Sequence, residues 1–277
     1  MDFINGYFGT LVFILGLTIG SFLNVCIYRI PAGESIVRPP SHCPRCNTQL
    51  KTLDLFPVFS WLFLRGKCRY CSTKISARYA IVELLTGVLF LALFIEFGMA
   101  GSGSMSLPSL FVGIAFTALL ISIFFIDYDH QIIPNGLVLI GTGLGIVVVL
   151  LNALMGYKFF AQLWWEHLLG ILPGVVAMIL IMVLGALIYK KESLGMGDVK
   201  LFIPIGLILG WKLTVAALLI AILAGGIGGV ILMLTRKAER DSAMPFGPFI
   251  VTGAIVAMLA NYQLLRLADW YFSLFAR

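Results

Sequence analysis

From Pro108 to Ile126 the chain runs without a charged residue and then reaches Asp127. A helix needs about 20 apolar residues to cross the hydrocarbon core of a bilayer, and several stretches of this sequence reach that length. Eight spans are predicted, at residues 7–28, 80–99, 108–127, 136–155, 167–189, 199–210, 213–234 and 246–265. Only 12% of the residues are charged and the mean hydropathy is +1.03, whereas a soluble domain carries about 25% charged residues. The expected fold class is an all-α polytopic membrane protein of about eight transmembrane helices with a small zinc-binding cytoplasmic loop domain. A soluble protein with an oversized core is excluded. Residues 7–28 do not read as a cleaved signal peptide: a basic n-region is missing, the run is too long, and Tyr28-Arg29-Ile30-Pro31 follows it in place of a small-residue cleavage site.

Lys and Arg residues orient such a chain, because they accumulate in cytoplasmic links. Nine lie between the first two spans: Arg29, Arg38, Arg45, Lys51, Arg65, Lys67, Arg69, Lys74 and Arg78. Lys190, Lys191 and Lys200 follow the fifth span, and Arg236, Lys237 and Arg240 follow the seventh. These alternate links hold fifteen of the 19 basic residues, so they are expected in the cytoplasm, with both termini outward. The +6 net charge is thereby explained by topology and by contact with an anionic lipid bilayer; no nucleic-acid partner is implied.

Between the first two spans lies a polar insert of about fifty residues containing Cys43-Pro-Arg-Cys46 and Cys68-Arg-Tyr-Cys71. Two such pairs supply four thiolates to one tetrahedral ion. Four thiolates leave no open coordination position, so the site is expected to hold structural Zn2+ through Cys43, Cys46, Cys68 and Cys71. A reducing cytoplasm disfavours the rival reading as disulfides. The insert is too small for a core of its own, and metal binding is expected to fold it. Cys26, inside a span, reads as packing, and His42 as a bystander. The expected organisation is a first transmembrane helix at 1–28, a cytoplasmic zinc-binding domain at 29–78 and a membrane-embedded core at 79–277.

Ionisable groups inside spans are rare and mark function. On the predicted topology the third span travels inward and ends at Asp127, while the sixth travels outward and begins after Asp198. Both carboxylates therefore arrive at the cytoplasmic face, although 71 positions separate them. Two neighbouring carboxylates cannot both ionise cheaply, and the pair holds one proton. Such a dyad can hydrolyse a peptide: one partner takes a proton from water and the other polarises the scissile carbonyl. Gly195 and Gly197, just before Asp198, would let the backbone turn and a substrate strand approach. Asp129 points about 200° away from Asp127 on a helix, so only one of the two can face Asp198; spacing does not choose between them.

These stretches together carry a resemblance. GLTIGSFLNVCIYRIP at 16–31, the paired CxxC knuckles, DLFPVFSWLFLRGKCRYC at 54–71, ISARYAIVELLTG at 75–87, FIDYDHQIIPN at 125–135, GMGDVK at 195–200 and PFGP at 245–248 resemble, in order and over nearly the whole chain, the bacterial type IV prepilin peptidases, the leader peptidase/N-methyltransferases among the GxGD aspartic membrane proteases. Ala80 departs from that pattern, which usually has proline. The resemblance implies that Asp127 and Asp198 are catalytic and that Asp129 and Lys200 support them. It implies removal of a basic leader from type IV prepilins and pseudopilins at the cytoplasmic face of the inner membrane, cutting after a glycine. It further implies methylation of the new N-terminal amine with S-adenosyl-L-methionine as donor. No stretch reads as a soluble nucleotide-binding fold; GTGLG at 141–145 and GGIGG at 225–229 lie within spans and read as close helix packing. Asn24 and Glu83, polar groups at cytoplasmic span ends, are the tentative residues for the cofactor or methyl transfer, against a rival reading as helix–helix hydrogen bonds. A presenilin-like protease would use Asp129 and leave the knuckles unexplained. A proton-coupled transporter would show inverted repeats, and none is evident. Trp164, Trp165 and Trp270 are expected in outer aromatic belts, Glu166 and His167 in solvent, and residues 264–277 along the outer surface.

Overall fold

In the computed structural model, residues 2–99, 106–189, 195–234 and 245–275 are described. The basic residues Lys190, Lys191, Arg236, Lys237 and Arg240 of the orientation argument lie outside them. Every long element among the described residues is a helix. The chain forms two compact units, Met1–Ser122 and Ile123–Arg277.

The first unit pairs α1 (Asp2–Arg29) with α3 (Arg78–Leu93, continuing through a wider turn at Phe94–Gly98). Their approach depends on small residues. A β-carbon on Gly16 would stand 2.7 Å from the Gly87 Cα, and one on Gly20 the same distance from the Glu83 Cα. This small-residue spacing lets membrane helices pack backbone to backbone. The insert between them has a single helical turn at Thr52–Asp54 and the short α2, Phe59–Phe63. Arg29 ends α1 and is buried, its guanidinium donating to the carbonyls of Ser35 (2.9 Å) and Pro39 (2.7 Å), which ties the start of the insert to the helix end. Ala80 sits in the first turn of α3. A backbone N–H there has no intrahelical partner in any case, so alanine substitutes for proline without disturbing the helix.

α4 (Leu107–His130) begins with Pro108 in its first turn and ends where Gln131 turns left-handed (φ 54°), its N–H donating to the Asp127 carbonyl at 2.9 Å. In the second unit, α5 (Asn135–Met155) runs from Pro134 to Gly156, a proline start and glycine stop. The short α6 (Trp164–Leu169) leads into α7 (Ile171–Tyr189). α8 (Met196–Leu234) packs against α5, α6, α7 and α9 (Gly247–Leu259). α10 (Asn261–Phe275) turns away from α9 by 85° and is amphipathic, as an interfacial segment is.

Six helices among the described residues are long and apolar enough to cross a membrane, or seven if α9 and the start of α10 form one span. The expected eight differ at α8, which contains both the sixth and the seventh predicted spans. Its 39 residues would measure about 58 Å if straight, roughly twice the hydrocarbon thickness. Gly210 breaks it with non-helical backbone (φ 75°, ψ 170°), at the last residue of the sixth predicted span. Glycine accepts that conformation without the steric penalty other residues meet.

Two expectations in this unit need revision. His167 is not solvated but fully buried, because α6 packs onto α8 and brings the imidazole to the Leu207 and Ile208 backbone. Glu166 is half-buried and accepts the N–H groups of Gln162 (2.8 Å) and Leu163 (3.0 Å), capping the helix start. Of the glycines expected at close helix contacts, Gly145 packs onto Leu207 and Gly225 onto Phe246, whereas Gly143, Gly226 and Gly229 face open space.

Candidate active site and metal centre

The four cysteines of the insert converge. Their sulfurs all lie within 4.8 Å of one another, and Cys43 and Cys71 Sγ are 3.8 Å apart. A tetrahedral ion with sulfurs at about 2.3 Å separates them by about 3.8 Å, so the donor set fits a four-coordinate metal. The knuckles repeat one local fold at an offset of twenty-five positions. Cys43 N–H donates to Thr48 O and Cys68 N–H to Thr73 O; Asn47 N–H donates to Cys43 O and Ser72 N–H to Cys68 O. Asn47 (φ 53°) and Ser72 (φ 57°) both take the left-handed turn, and isolated bridges His42–Gln49 and Lys67–Lys74 close each knuckle. The Cys71 thiol is held down to about 6, chiefly by its hydrogen bond with Thr73, so it is a thiolate near neutral pH, as metal ligation requires. His42 bonds Pro40 O (3.1 Å) and is outside the cluster.

Asp54 braces the segment between the knuckles. It accepts Arg69 Nε (2.5 Å), Tyr70 O–H (2.7 Å) and Lys51 N–H (3.1 Å). Burial pushes its carboxyl up, but the hydrogen bonds from Tyr70, Lys51 and Arg69 together outweigh this and hold it below the usual carboxylate range.

The two tentative methyl-transfer residues are already engaged. Asn24 Nδ2, on α1, donates to Tyr79 O on α3 at 3.0 Å, a helix–helix hydrogen bond. Glu83, only 9% exposed, accepts Val58 N–H at 2.7 Å. Val58 stands at φ 62° immediately before α2, a conformation that β-branched residues rarely adopt.

The carboxylates occupy the second unit. Asp127 lies in the last turn of α4 and Asp198 in the first turn of α8. They are 5% and 8% exposed and close enough for each to feel the other's charge. Asp129 is exposed. Lys200 Nζ donates to Asn135 Oδ1 at 3.3 Å, joining the start of α8 to the start of α5. A β-carbon on Gly197 would stand 3.1 Å from Ile133 Cβ, so glycine permits the close approach of α8 to the segment after α4. Gly195 is different: it is exposed, and a β-carbon there would stand 4.0 Å from Asp198 Oδ2, at ordinary contact distance. Four chain segments thus meet at the carboxylates.

The fourth is α9, and it supplies a residue not singled out by the sequence reading. Gly247 is buried against Asp127: a β-carbon there would collide with the carboxyl, 2.9 Å from its Cγ. The Gly247 N–H is within reach of that carboxyl, whose Oδ2 is buried without a full hydrogen bond. The contact of this PFGP segment with Asp127 could not be read from the sequence, since 120 positions separate Gly247 from Asp127.

A buried aspartate pair at helix ends, in a chain with a four-cysteine insert, defines the class. Residues 14–97 match the bacterial peptidase A24 N-terminal domain and residues 114–230 the type IV leader peptidase family, and the chain belongs to that family. Its relatives carry a more specific name. Proteins called prepilin leader peptidase/N-methyltransferase are 36% identical in Myxococcus xanthus (87% of this chain, 71% of the relative), 34% in Bacillus subtilis (90% and 93%) and 32% in Stutzerimonas stutzeri (91% and 90%). No solved structure matches the chain.

Proposed function

We propose that this protein removes the basic leader from type IV prepilins and pseudopilins and then methylates the new N-terminal amine. The observation that carries the cleavage reading is the burial of Asp127 and Asp198 within each other's electrostatic reach. One carboxylate takes a proton from water, and the resulting hydroxide attacks the scissile carbonyl carbon. The protonated partner donates to the carbonyl oxygen, forming a tetrahedral diol. Collapse of the diol breaks the C–N bond and delivers a proton to the departing amine. The exposed Gly195, beside Asp198, is where the substrate strand would approach. Asp129 and Lys200 act as supporting residues, Lys200 by holding Asn135.

The cytoplasmic inner-membrane face is the proposed location, with both termini outward. The basic insert supports this, and so does the Gly210 break, which allows α8 to supply two crossings. We further propose that Cys43, Cys46, Cys68 and Cys71 hold Zn2+, organising residues 29–78 as a cytoplasmic domain before the peptidase core at 79–277. S-adenosyl-L-methionine, when bound, supplies an electrophilic methyl group to the freed amine. Asn24 and Glu83 are the proposed residues for that second step, in addition to their hydrogen bonds. Asn24→Ala and Glu83→Gln should lower methylation of pre-cut pilin more than leader cleavage; equal losses would mean that both residues act only through the fold.

The decisive experiment incubates membranes containing the protein with a prepilin and sequences the product N-terminus. A leader removed after glycine and a methylated new terminus are expected. An uncut prepilin would overturn the proposal.

A further inference from the structure

The insert contains a ten-residue stretch, LFPVFSWLFL at 55–64, with no charged residue. It lies between Asp54 and Arg65 in a segment otherwise rich in Lys and Arg. A soluble loop with this sequence would fold its apolar side chains inward. Here they face out: Phe63 is 82% exposed, Phe56 59%, Leu62 55% and Phe59 46%, and none of the residues of α2 is buried. Phe56 and Phe59 pack with their rings tilted by 50° and centroids 5.7 Å apart. An apolar ridge of this kind marks a contact surface.

Its position along the neighbouring helix says what that contact is. Val58 N–H bonds the Glu83 carboxylate. Glu83 is the sixth residue of a span that begins at Arg78 and runs to Gly98. Helical side chains lean back toward the N-terminus, which places the Glu83 carboxylate about one turn, roughly 5 Å, inside the start of that span. Val58 immediately precedes α2. The ridge is therefore held beside the start of that candidate span, where headgroups would give way to acyl chains. Trp61 turns inward instead, its Nε1–H donating to Ile75 O at 3.1 Å, and so joins the ridge to the segment leading into α3. The flanking Lys51, Arg65, Lys67 and Lys74 suit anionic headgroups.

We propose that residues 55–64 form an interfacial anchor, with Phe56, Phe59, Leu62 and Phe63 inserted into the leaflet from which the insert emerges. The anchor fixes the height and tilt of both knuckles relative to the bilayer, and it does so whether or not a substrate is present.

The test uses the full-length protein in nanodiscs of phosphatidylethanolamine and phosphatidylglycerol. Phe63→Trp adds a reporter at the most exposed ridge position, with emission from the five native tryptophans subtracted using the parent protein and metal content confirming that the knuckles are intact. The added emission should fall at least about threefold with lipids carrying a nitroxide near the top of the acyl chain, and little with aqueous iodide. Quenching by iodide and not by lipid overturns the proposal. So does emission that ignores lipid but shifts when a prepilin is added, which would make the ridge a substrate surface. If the variant loses its metal, the unaltered protein decides the matter with a photoactivatable phospholipid: crosslinks within 55–64 are expected, and their absence overturns the proposal.

Discussion

The knuckle centre and the aspartate site are built in opposite ways. The knuckles bring four cysteines together from twenty-nine consecutive positions, and each half folds through its own short-range hydrogen bonds. The aspartate site draws on α4, the segment before α5, α8 and α9, and its key contacts span 64 to 120 positions. In the first, local backbone geometry sets the chemistry. In the second, helix packing sets it, and the side chains have little freedom once the helices are placed.

That contrast predicts how each site fails. Asp127→Asn or Asp198→Asn should lower leader cleavage by at least about a thousandfold with thermal unfolding little changed, since each replacement is isosteric. Full cleavage by either variant would remove the dyad. Methylation of pre-cut pilin should survive both changes; its loss would mean that one site performs both steps. Cys43→Ser or Cys68→Ser should abolish stoichiometric zinc, measured by elemental analysis of the purified protein, and expose the insert to proteolysis, because metal binding contributes on the order of 10 kcal/mol to folding in such small domains. A parent protein without zinc would break the comparison at its local end. Gly247→Ala should reduce turnover for leader cleavage by about 10- to 100-fold, the cost of moving a reacting group by about 1 Å, with KM nearly unchanged. Gly253→Ala is the control: its β-carbon would strike the Ala217 carbonyl, so it should lower stability before it lowers turnover. The smallest effect is expected at Ser72. Replacing this left-handed residue with glycine should stabilise the insert by no more than about 1 kcal/mol, read as a modest rise in the unfolding temperature of the zinc-loaded protein.

The two sites were unequally legible in the sequence for the same reason. CxxC spacing encodes a candidate ligand pair directly, so the four cysteines that cluster in the structure could be picked out from the sequence. Apolar length encodes a span, so the helices were legible too. The sixth and seventh spans join in one element because a single glycine, Gly210, interrupts the helix without a turn-forming sequence around it. The convergence of Asp127 and Asp198 followed from topology; the choice of Asp127 over Asp129 needed the resemblance, and in the structure the first is buried and the second exposed. Gly247 and His167 were beyond reach. Their surroundings come from α4 and α8, and nothing in the residues beside them announces those neighbours.

The twenty-five-position repeat of the knuckles has a consequence for synthesis. The first knuckle leaves the ribosome with two thiols, and its counterpart follows only after the apolar ridge has emerged. At about 5–20 residues per second, that delay is on the order of one to five seconds. During it the nascent chain offers an incomplete chelate that can be oxidised or can share a metal with the half-finished loop of a neighbouring chain. A leaflet that captures the ridge in this interval would keep the first pair beside its own membrane until the second arrives.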